Sequence, residues 1–292
     1  MAGITRKAYA KINLHLDVTG IRADGFHSVS TVMQSVSLCD EVSVSLLDTE
    51  GFTLACDVEG VPLNEKNLAA RAFIAYKSAT NMPLGAHISI KKHIPMAAGL
   101  AGGSADAAAT LLALNDLCKN PLSLEELCEI GARLGSDVPF CIVGGAAFAD
   151  GKGEMLHPFP AMPKCTLVIA CGGEGVSTPE AYRTLDRIYN NFSSAEDHAS
   201  ADIVPLCEAT RSGDVYAVAK NLYNIFEEPI LSARPVAAKL KSTMLECGAI
   251  GAMMSGSGPS VFGIFTNERA AKLACERIEN LGVTPHVCLP IN

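Results

Sequence analysis

Residues 95–110 read Pro-Met-Ala-Ala-Gly-Leu-Ala-Gly-Gly-Ser-Ala-Asp-Ala-Ala-Ala-Thr, a glycine-rich segment followed by alanines. Gly99, Gly102 and Gly103 remove side chains where the backbone must come close to another group. Ser104 is predicted to be a helix N-cap, because serine caps well and the alanines that follow are strong helix formers. Orphan N–H groups and the helix dipole favour an anion at such an N-terminus. The segment therefore predicts a helix that binds a nucleotide phosphate.

The same segment also has a purely structural interpretation. Small residues on every face of Ala105–Leu112 are typical of a helix packed tightly against a sheet, and glycine-rich turns before helices are common. The segment lacks the Gly-Lys-Ser/Thr ending of a P-loop, and the chain contains no His-Arg-Asp and Asp-Phe-Gly pair typical of protein kinases.

Composition bounds the class of protein. The 292 residues suffice for two modest domains or one large one, and 49% hydrophobic with 18% charged residues is typical of a globular chain. The net charge of −8 is spread along the chain without a basic stripe. We therefore expect neither nucleic-acid nor membrane binding, although a local basic pocket for phosphates remains compatible with this charge.

Cysteine usage indicates the compartment. The eleven cysteines include no Cys-x-x-Cys spacing, their number is odd, and most lie within apolar runs. The first residues contain no apolar stretch of signal-peptide length, and no stretch approaches a membrane span. We expect reduced, mostly buried cysteines and a cytoplasmic protein.

The order of predicted elements favours an α+β fold with two lobes. Apolar and polar residues alternate from Ala8 to Val18, which predicts a strand with Lys11 and Asn13 on the same polar face. Strands and helices then follow without regular βαβ repetition. The proline-rich stretch His157–Pro163 is the predicted linker between domains at 1–156 and 164–292.

Further predicted strands are Val29–Leu38, Glu41–Leu47, His87–Lys92, Gly144–Ala149, Thr166–Ala170, Ala252–Met254 and Val261–Phe265. Predicted helices are Asn67–Ala79, Ala105–Leu114, Leu124–Leu134, Pro179–Asn190, Val204–Gly213, Asp214–Asn221, Pro235–Cys247 and Glu268–Leu281, while Asn191–Ala201 is predicted to be mobile.

Three further sites are candidates for chemistry, and each has a structural alternative. Lys11 is either an active-site charge or a solvated charge on an edge strand. Asp137 is either an acid–base group or the N-cap of a helix that begins near Pro139. Ser255-Gly-Ser-Gly258 either offers backbone donors to a ligand or forms a tight turn between strands.

Taken together, these sites resemble the GHMP kinases, the family of galactokinase, homoserine kinase and mevalonate kinase. The resemblance runs from Ala8 to Phe265 and is weak between Asn191 and Ala249. Ala8–Leu16, Arg22–His27 and Gly135–Pro139 are most similar to members whose small-molecule substrate carries a cytidine diphosphate group. The resemblance implies an N-terminal nucleotide-binding lobe, a ferredoxin-like C-terminal lobe and an active site in the cleft between them.

The resemblance also implies phosphoryl transfer from ATP with Mg²⁺, and it assigns roles to residues. Asp137 would accept the proton of the attacking hydroxyl, and Lys11 would neutralise charge on the transferring group. The implied nucleotide-binding residues are Asn67, Leu68 and Lys92 near the adenosine, and Pro95, Met96, Ala97, Ala98, Gly99, Leu100, Ala101, Gly102, Gly103, Ser104 and Ala105 around the phosphates.

Substrate recognition is implied at a second group of residues. In the members that this chain resembles, two aromatic rings sandwich the cytosine and a histidine reads it, and these positions match Phe26, Tyr182 and His27, with Asn13 nearby. Phe26 replaces the usual tyrosine, which removes a phenolic hydrogen bond but leaves stacking in place. Taken alone, His27 is also typical of a turn residue that bonds its own backbone.

Two other functions remain open at this point. A sister kinase for mevalonate or homoserine has the same overall motif order, but the nucleobase-sized pair Phe26 and Tyr182 argues against it. A non-catalytic sensor on the same fold does not need Lys11 and Asp137. The motifs are compatible with a monomer or a homodimer.

Overall fold

The computed structural model describes residues 3–192 and 198–292. The described residues form two compact units that alternate along the chain. The first unit comprises 3–10, 39–96 and 101–144, and the second comprises 11–38, 97–100 and the described residues from 145 onward. Two long strands, β1 (Gly3–Ile21) and β2 (His27–Leu47), contribute residues to both units. The division of the family's domains at 157–163 stays a prediction.

The first unit combines strands with four helices. Strand β4 (Gly85–Lys91) pairs in parallel with β3 (Gly51–Cys56) and antiparallel with the second half of β2. The helices are α1 (Leu68–Thr80), α2 (Gly102–Leu117), α3 (Leu124–Leu134) and α4 (Val138–Val143). Every residue of α2 from Ala105 to Leu111 is buried, so tight packing does account for its small residues.

The second unit contains two sheets. In the first sheet, β1 lies between β2 and β8 (Tyr223–Asn224), and β2 pairs antiparallel with β5 (Ala146–Asp150), which pairs with β6 (Met155–Pro158). The second sheet has the order β11-β7-β10-β9, formed by Pro285–Cys288, Thr166–Cys171, Ser260–Phe265 and Gly251–Met254. The helices are α5 (Thr178–Ile188), α6 (Val204–Ser212), α7 (Val215–Lys220), α8 (Glu227–Ala233), α9 (Pro235–Glu246) and α10 (Glu268–Glu279).

The second sheet and two of its helices confirm the ferredoxin-like prediction. Strand β7, helix α9, β9, β10, α10 and β11 occur in the order βαββαβ, with α5 to α8 and β8 inserted between β7 and α9. The first strand of this series lies next to the last. Leu240 and Met244 of α9 and Ile278 of α10 pack with Val168 and Phe265 of the sheet in one buried cluster. This packing buries the apolar face that each element presents.

Several predicted elements differ from the structure. The strands predicted at Val29–Leu38 and Glu41–Leu47 are one continuous strand, β2, without a turn between them. The carboxylate of buried Asp40, which lies between the two predicted strands, accepts hydrogen bonds from the backbone N–H groups of His93 and Ile94. The linker predicted at His157–Pro163 is wrong for its first two residues, which pair with β5 as part of β6. Pattern alone also missed β3, β8, α8 and β11, which are short or lack strict periodicity, whereas α4 begins where the alternative for Asp137 placed a helix.

Two expectations about unstructured or buried parts also need revision. None of the eleven cysteines, all of which lie within the described residues, forms a disulfide. Only Cys247 and Cys288 are fully buried and the others are half-buried, because apolar neighbours in sequence do not guarantee a core position. Of the stretch 191–201 predicted to be mobile, residues 193–197 lie outside the described residues. On its C-terminal side, His198 Nε2 and the Ala201 N–H donate to the Asp17 carboxylate at 2.7 and 2.8 Å.

None of the helices within 3–192 and 198–292 combines the length and apolar character that crossing a bilayer requires.

Candidate active site

The N-terminus of α2 forms the centre of the predicted phosphate site in the first unit. The helix begins at Gly102, and its N-cap is Ala101 in a left-handed conformation (φ 58°) without a capping side chain. The Ala105 N–H donates to the Ala101 carbonyl at 2.9 Å, so the first helical bond closes before Ser104. The prediction of Ser104 as N-cap is therefore wrong, and Ser104 lies within the first turn. The N-cap Ala101 gives the first N–H groups of α2 no side-chain hydrogen bond.

Several residues predicted to surround the nucleotide are neighbours at this N-terminus. A Cβ atom on Gly102 would lie 3.3 Å from Lys92 Nζ and 3.1 Å from Ile94 Cγ2, which is tighter than ordinary contact. A Cβ atom on Gly103 would lie 3.5 Å from Leu68 Cδ1, an ordinary van der Waals contact, and Gly103 is exposed. Protein packing therefore constrains Gly102, whereas at Gly103 it leaves room for a methyl group.

Lys92 is bound between two buried carboxylates at the base of this helix. Its Nζ donates to Asp106 Oδ2 at 2.8 Å and to Asp40 Oδ2. Burial alone would lower the pKa of Lys92, but the carboxylates of Asp106 and Asp40 outweigh it and raise the pKa. One ammonium does not neutralise two carboxylates, and burial raises the pKa of Asp106 to about 7. In the structure the Lys92 charge thus supports α2, and its contact with adenosine stays a prediction.

Asn67 and Asp137 both stand at helix starts. Asn67 caps α1, since its Oδ1 accepts from the Ala69 N–H at 2.9 Å. Asp137 occupies the N-cap position of α4, as its structural alternative predicted, but its side chain makes no capping hydrogen bond. Its role as an acid–base group stays a prediction. A Cβ atom on Gly135 would lie 3.8 Å from Ser104 Oγ, so the turn that carries Asp137 lies beside the first turn of α2.

In the second unit, Lys11 is part of a buried polar chain. Its Nζ donates to Asn13 Oδ1 at 2.8 Å, and Asn13 Nδ2 donates to Thr31 Oγ1 at 2.8 Å. The Thr31 hydroxyl in turn donates to the His15 carbonyl at 2.7 Å. Lys11 and Asn13 share one face of β1, as predicted, but they are only 4% and 3% exposed. The alternative that Lys11 is a solvated surface charge is therefore wrong.

The middle of the glycine-rich segment, Ala97–Leu100, rests on the loop Ser255–Gly258 in the second unit. Ser255 Oγ donates to the Gly99 carbonyl at 3.1 Å, and the Lys11 N–H donates to the Leu100 carbonyl at 3.1 Å. Gly99 has φ +77°, and a Cβ atom there would lie 2.2 Å from the Ser255 carbonyl oxygen. Ser255–Gly258 is the turn between β9 and β10, and its Gly256 N–H donates to Asn13 Oδ1 at 3.0 Å.

The residues predicted to recognise cytosine are also placed in the second unit. Phe26 is 58% exposed, with Lys152 Nζ 4.7 Å from its ring centroid. The His27 ring stacks on Tyr182 with centroids 4.5 Å apart, and His27 Nε2 donates to Asp186 Oδ1 at 2.7 Å. The alternative that His27 bonds its own backbone is therefore wrong for Nε2. A base held between Phe26 and Tyr182 stays a prediction.

Sequence reasoning missed several polar residues that support these sites, among them Asp40, which holds Lys92 together with Asp106. Thr31 orients Asn13, Asp106 holds Lys92, and Asp186 holds His27. A signal existed for Asp186, which lies four residues after Tyr182 and therefore on the same face of α5. No local pattern indicates Thr31 or Asp106, because their partners come from other elements.

Each unit, taken by itself, offers components of the kind that phosphoryl transfer uses. The first unit supplies the N-terminus of α2 for phosphate and a carboxylate, Asp137, that is not used for capping. The second unit supplies the buried ammonium of Lys11, held in one orientation by Asn13. Comparison with known proteins identifies the family. The model of the GHMP kinases N terminal domain matches residues 67–145, and the GHMP kinases C terminal model matches 206–284. The chain belongs to the GHMP kinase family.

Individual relatives agree with this assignment. A 4-diphosphocytidyl-2-C-methyl-D-erythritol kinase of Alkaliphilus metalliredigens is 41% identical over 287 residues, which cover 98% of this chain and 96% of the relative. The crystal structure of a 4-(cytidine 5'-diphospho)-2C-methyl-D-erythritol kinase matches with a TM-score of 0.82 at 32% identity, covering 99% of this chain and all of the other. A homoserine kinase of Cytophaga hutchinsonii matches with a TM-score of 0.76 at 19% identity over 100% of this chain and 95% of the other, which shows the shared fold alone. The GHMP kinases are phosphotransferases that use ATP as co-substrate.

Proposed function

We propose that this chain phosphorylates the 2-hydroxyl of 4-diphosphocytidyl-2-C-methyl-D-erythritol with ATP, giving the 2-phosphate and ADP, a step in non-mevalonate isoprenoid synthesis. The observation that carries the proposal is the 41% identity, over nearly the whole chain, to a relative named for this substrate. The homoserine kinase of similar fold is only 19% identical, so its substrate does not transfer with the fold.

The polar chain around Lys11 supports a catalytic role for this ammonium. Lys11 is buried, and its Nζ donates to Asn13 Oδ1 at 2.8 Å, which holds the ammonium in one orientation. In the proposed reaction, Asp137 accepts the proton of the substrate hydroxyl as it attacks the γ-phosphorus, and Lys11 stabilises the negative charge of the transferring group.

The start of α2 fits the phosphates of ATP. Its uncapped N–H groups and the exposed backbone at Gly103 allow close approach of an anion. The described residues contain no group of three or more His, Cys, Asp or Glu side chains placed to hold a metal ion. Mg²⁺ at phosphoryl-transfer sites is usually bound through the substrate phosphates, one or two carboxylates and water. When bound, Mg²⁺ would neutralise phosphate charge.

The second group of site residues supports a cytidine diphosphate substrate. Phe26 offers an exposed ring for stacking. Two residues of α5 hold the His27 ring, Tyr182 by stacking and Asp186 by a hydrogen bond. Eleven cysteines without a disulfide favour a reducing cytoplasm, and the net charge of −8 disfavours nucleic acid as a partner. A monomer or a homodimer fits these features, and size-exclusion chromatography with light scattering distinguishes them.

A coupled assay of ADP release tests the function directly. The purified chain should consume ATP with the cytidyl substrate and not with mevalonate or homoserine. Tyr182→Ala should raise the KM for the cytidyl substrate about tenfold, since stacking is worth roughly 1–3 kcal/mol, while the KM for ATP stays unchanged. Phe26→Ala and His27→Ala should act in the same direction. Wild-type activity on mevalonate or homoserine instead would refute the assigned substrate.

A further inference from the structure

The position of His27 is set by packing between β2 and α5. Side chains alternate along a strand, so His27 and Val29 share one face of β2. Val29 lies in a buried cluster with Ala181 and Leu185, the apolar row of α5. That packing fixes how α5 approaches the start of β2.

The neighbouring row of α5 reaches His27 itself. Tyr182 and Asp186 are four residues apart, hence on one face of the helix, each one position after a buried residue. The Tyr182 ring stacks on the imidazole at an interplanar angle of 28°, and Asp186 Oδ1 is 2.7 Å from His27 Nε2. The side chains of His27 and Asp186 are 12% and 22% exposed, so the pair is largely shielded from solvent.

This contact determines which ring nitrogen of His27 can accept a hydrogen bond. A carboxylate only accepts, so the hydrogen of the neutral imidazole lies on Nε2 and the lone pair lies on Nδ1. The N4 amino group of cytosine is a donor, whereas the corresponding O4 of uracil is an acceptor. An Nδ1 acceptor therefore matches cytosine and opposes uracil.

We propose that Asp186 is a positioning residue that holds His27 in the tautomer with the hydrogen on Nε2 and thereby makes the kinase prefer a cytidyl over a uridyl substrate. The proposal rests on the proposed function, because it assigns a cause to the base selectivity of that same site. It adds a residue that contacts no substrate atom itself and acts through the imidazole.

Asp186→Asn tests this assignment with nearly unchanged shape. The amide offers a donor as well as an acceptor to Nε2, so both tautomers of His27 become populated. The ratio of kcat/KM for the cytidyl substrate to that for its uridyl analogue should fall roughly three- to tenfold, the worth of about one hydrogen bond, with the KM for ATP unchanged. Asp186→Glu keeps the carboxylate and should retain most of the preference for the cytidyl substrate. Glu180→Gln is the matched control, because it removes the same charge from an exposed position of the same helix.

A spectroscopic readout separates positioning from mere structural support. The ¹⁵N chemical shifts of the histidine ring nitrogens report the tautomer, and the signals of His27 are identified as those that disappear in His27→Gln. These shifts should indicate the Nε2–H tautomer in the wild type and in Glu180→Gln, and a mixture of both tautomers in Asp186→Asn. Thermal unfolding checks that each variant folds, and Asp186→Ser replaces Asp186→Asn if the amide prevents folding.

The outcomes distinguish this proposal from the proposed function. An active wild type with unchanged base preference and unchanged ring shifts in Asp186→Asn overturns the role of Asp186 and leaves a structural contact between β2 and α5. A wild type that does not phosphorylate the cytidyl compound refutes the proposed function, and the selectivity role of Asp186 with it.

Discussion

Replacing Gly103 with alanine should stabilise the protein and weaken ATP binding at once. Gly103 is the second residue of α2, and a Cβ atom there would meet Leu68 Cδ1 at 3.5 Å, without overlap. Alanine is more favourable than glycine in a helix by up to about 1 kcal/mol, and less in the first turn, so we expect a gain of roughly 0.5 kcal/mol. For a chain of this size, that gain raises the Tm by about 1–2 °C.

The loss of ATP affinity follows from the proposed position of the phosphates. The new methyl group occupies the open side of Gly103, where the backbone N–H is proposed to approach phosphate. A hydrogen bond to a charged group contributes roughly 1.5–3 kcal/mol, so its loss should raise the KM for ATP by about 10- to 150-fold. The KM for the phosphate acceptor should stay within about twofold of the wild type, a change of less than roughly 0.5 kcal/mol.

Differential scanning calorimetry measures the expected rise in Tm, and steady-state kinetics with both substrates varied measure the expected rise in the KM for ATP. Ser78→Ala, at an exposed position of α1, is the control for helix propensity, because it should raise stability without changing either KM. A more stable Gly103→Ala with unchanged KM for ATP would refute the phosphate site at α2. A destabilised variant would refute the packing argument instead. Gly102 is a poorer test, since its Cβ would press on Ile94 and Lys92.

Three further predictions concern Asp137 and two buried polar residues, Thr31 and Asp106. Asp137→Ala should lower kcat by roughly 10²–10⁴-fold and change the free energy of unfolding by at most about 1 kcal/mol, and a folded variant with wild-type kcat would contradict its role as base. Thr31→Val should lower kcat roughly two- to tenfold by releasing the Asn13 amide that orients Lys11, whereas Thr31→Ser should restore it, and equal rates for both variants would argue against this orientation. Burial raises the pKa of Asp106 from 3.8 to about 7, so between these pH values the folded state binds more protons than the unfolded state. The contribution of Asp106 to the free energy of unfolding therefore declines as pH rises from about 4 to about 7. Urea unfolding across this pH range should show a flatter dependence in Asp106→Asn, and an unchanged slope would contradict the shift.

Most of the regular elements could be predicted because their signals are local. The alternation around Lys11 is a property of adjacent residues, and it predicted the central part of β1. Asn67 and Asp214 were placed at the starts of helices, where each accepts capping hydrogen bonds. Local signals failed at Ser104, a good capping residue that lies inside α2 because the left-handed Ala101 starts the helix earlier.

The sequence by itself determined the α+β class, because periodicity is read from residues close together in the chain. The resemblance of its motifs to the GHMP kinases implied the family, the ferredoxin-like C-terminal lobe and the roles of Lys11 and Asp137, and those two roles stay predictions. Only the tertiary structure decided which side chains contact and orient the predicted site residues. His27 and Asp186 are 159 positions apart, and Lys92 and Asp40 are 52 apart. Such pairs meet because apolar faces pack and bring distant elements together, and a buried polar group must then find whichever partner that packing presents. For that reason the sequence alone indicated the charged groups of the site, and the packing of the folded chain assigned their hydrogen-bond partners.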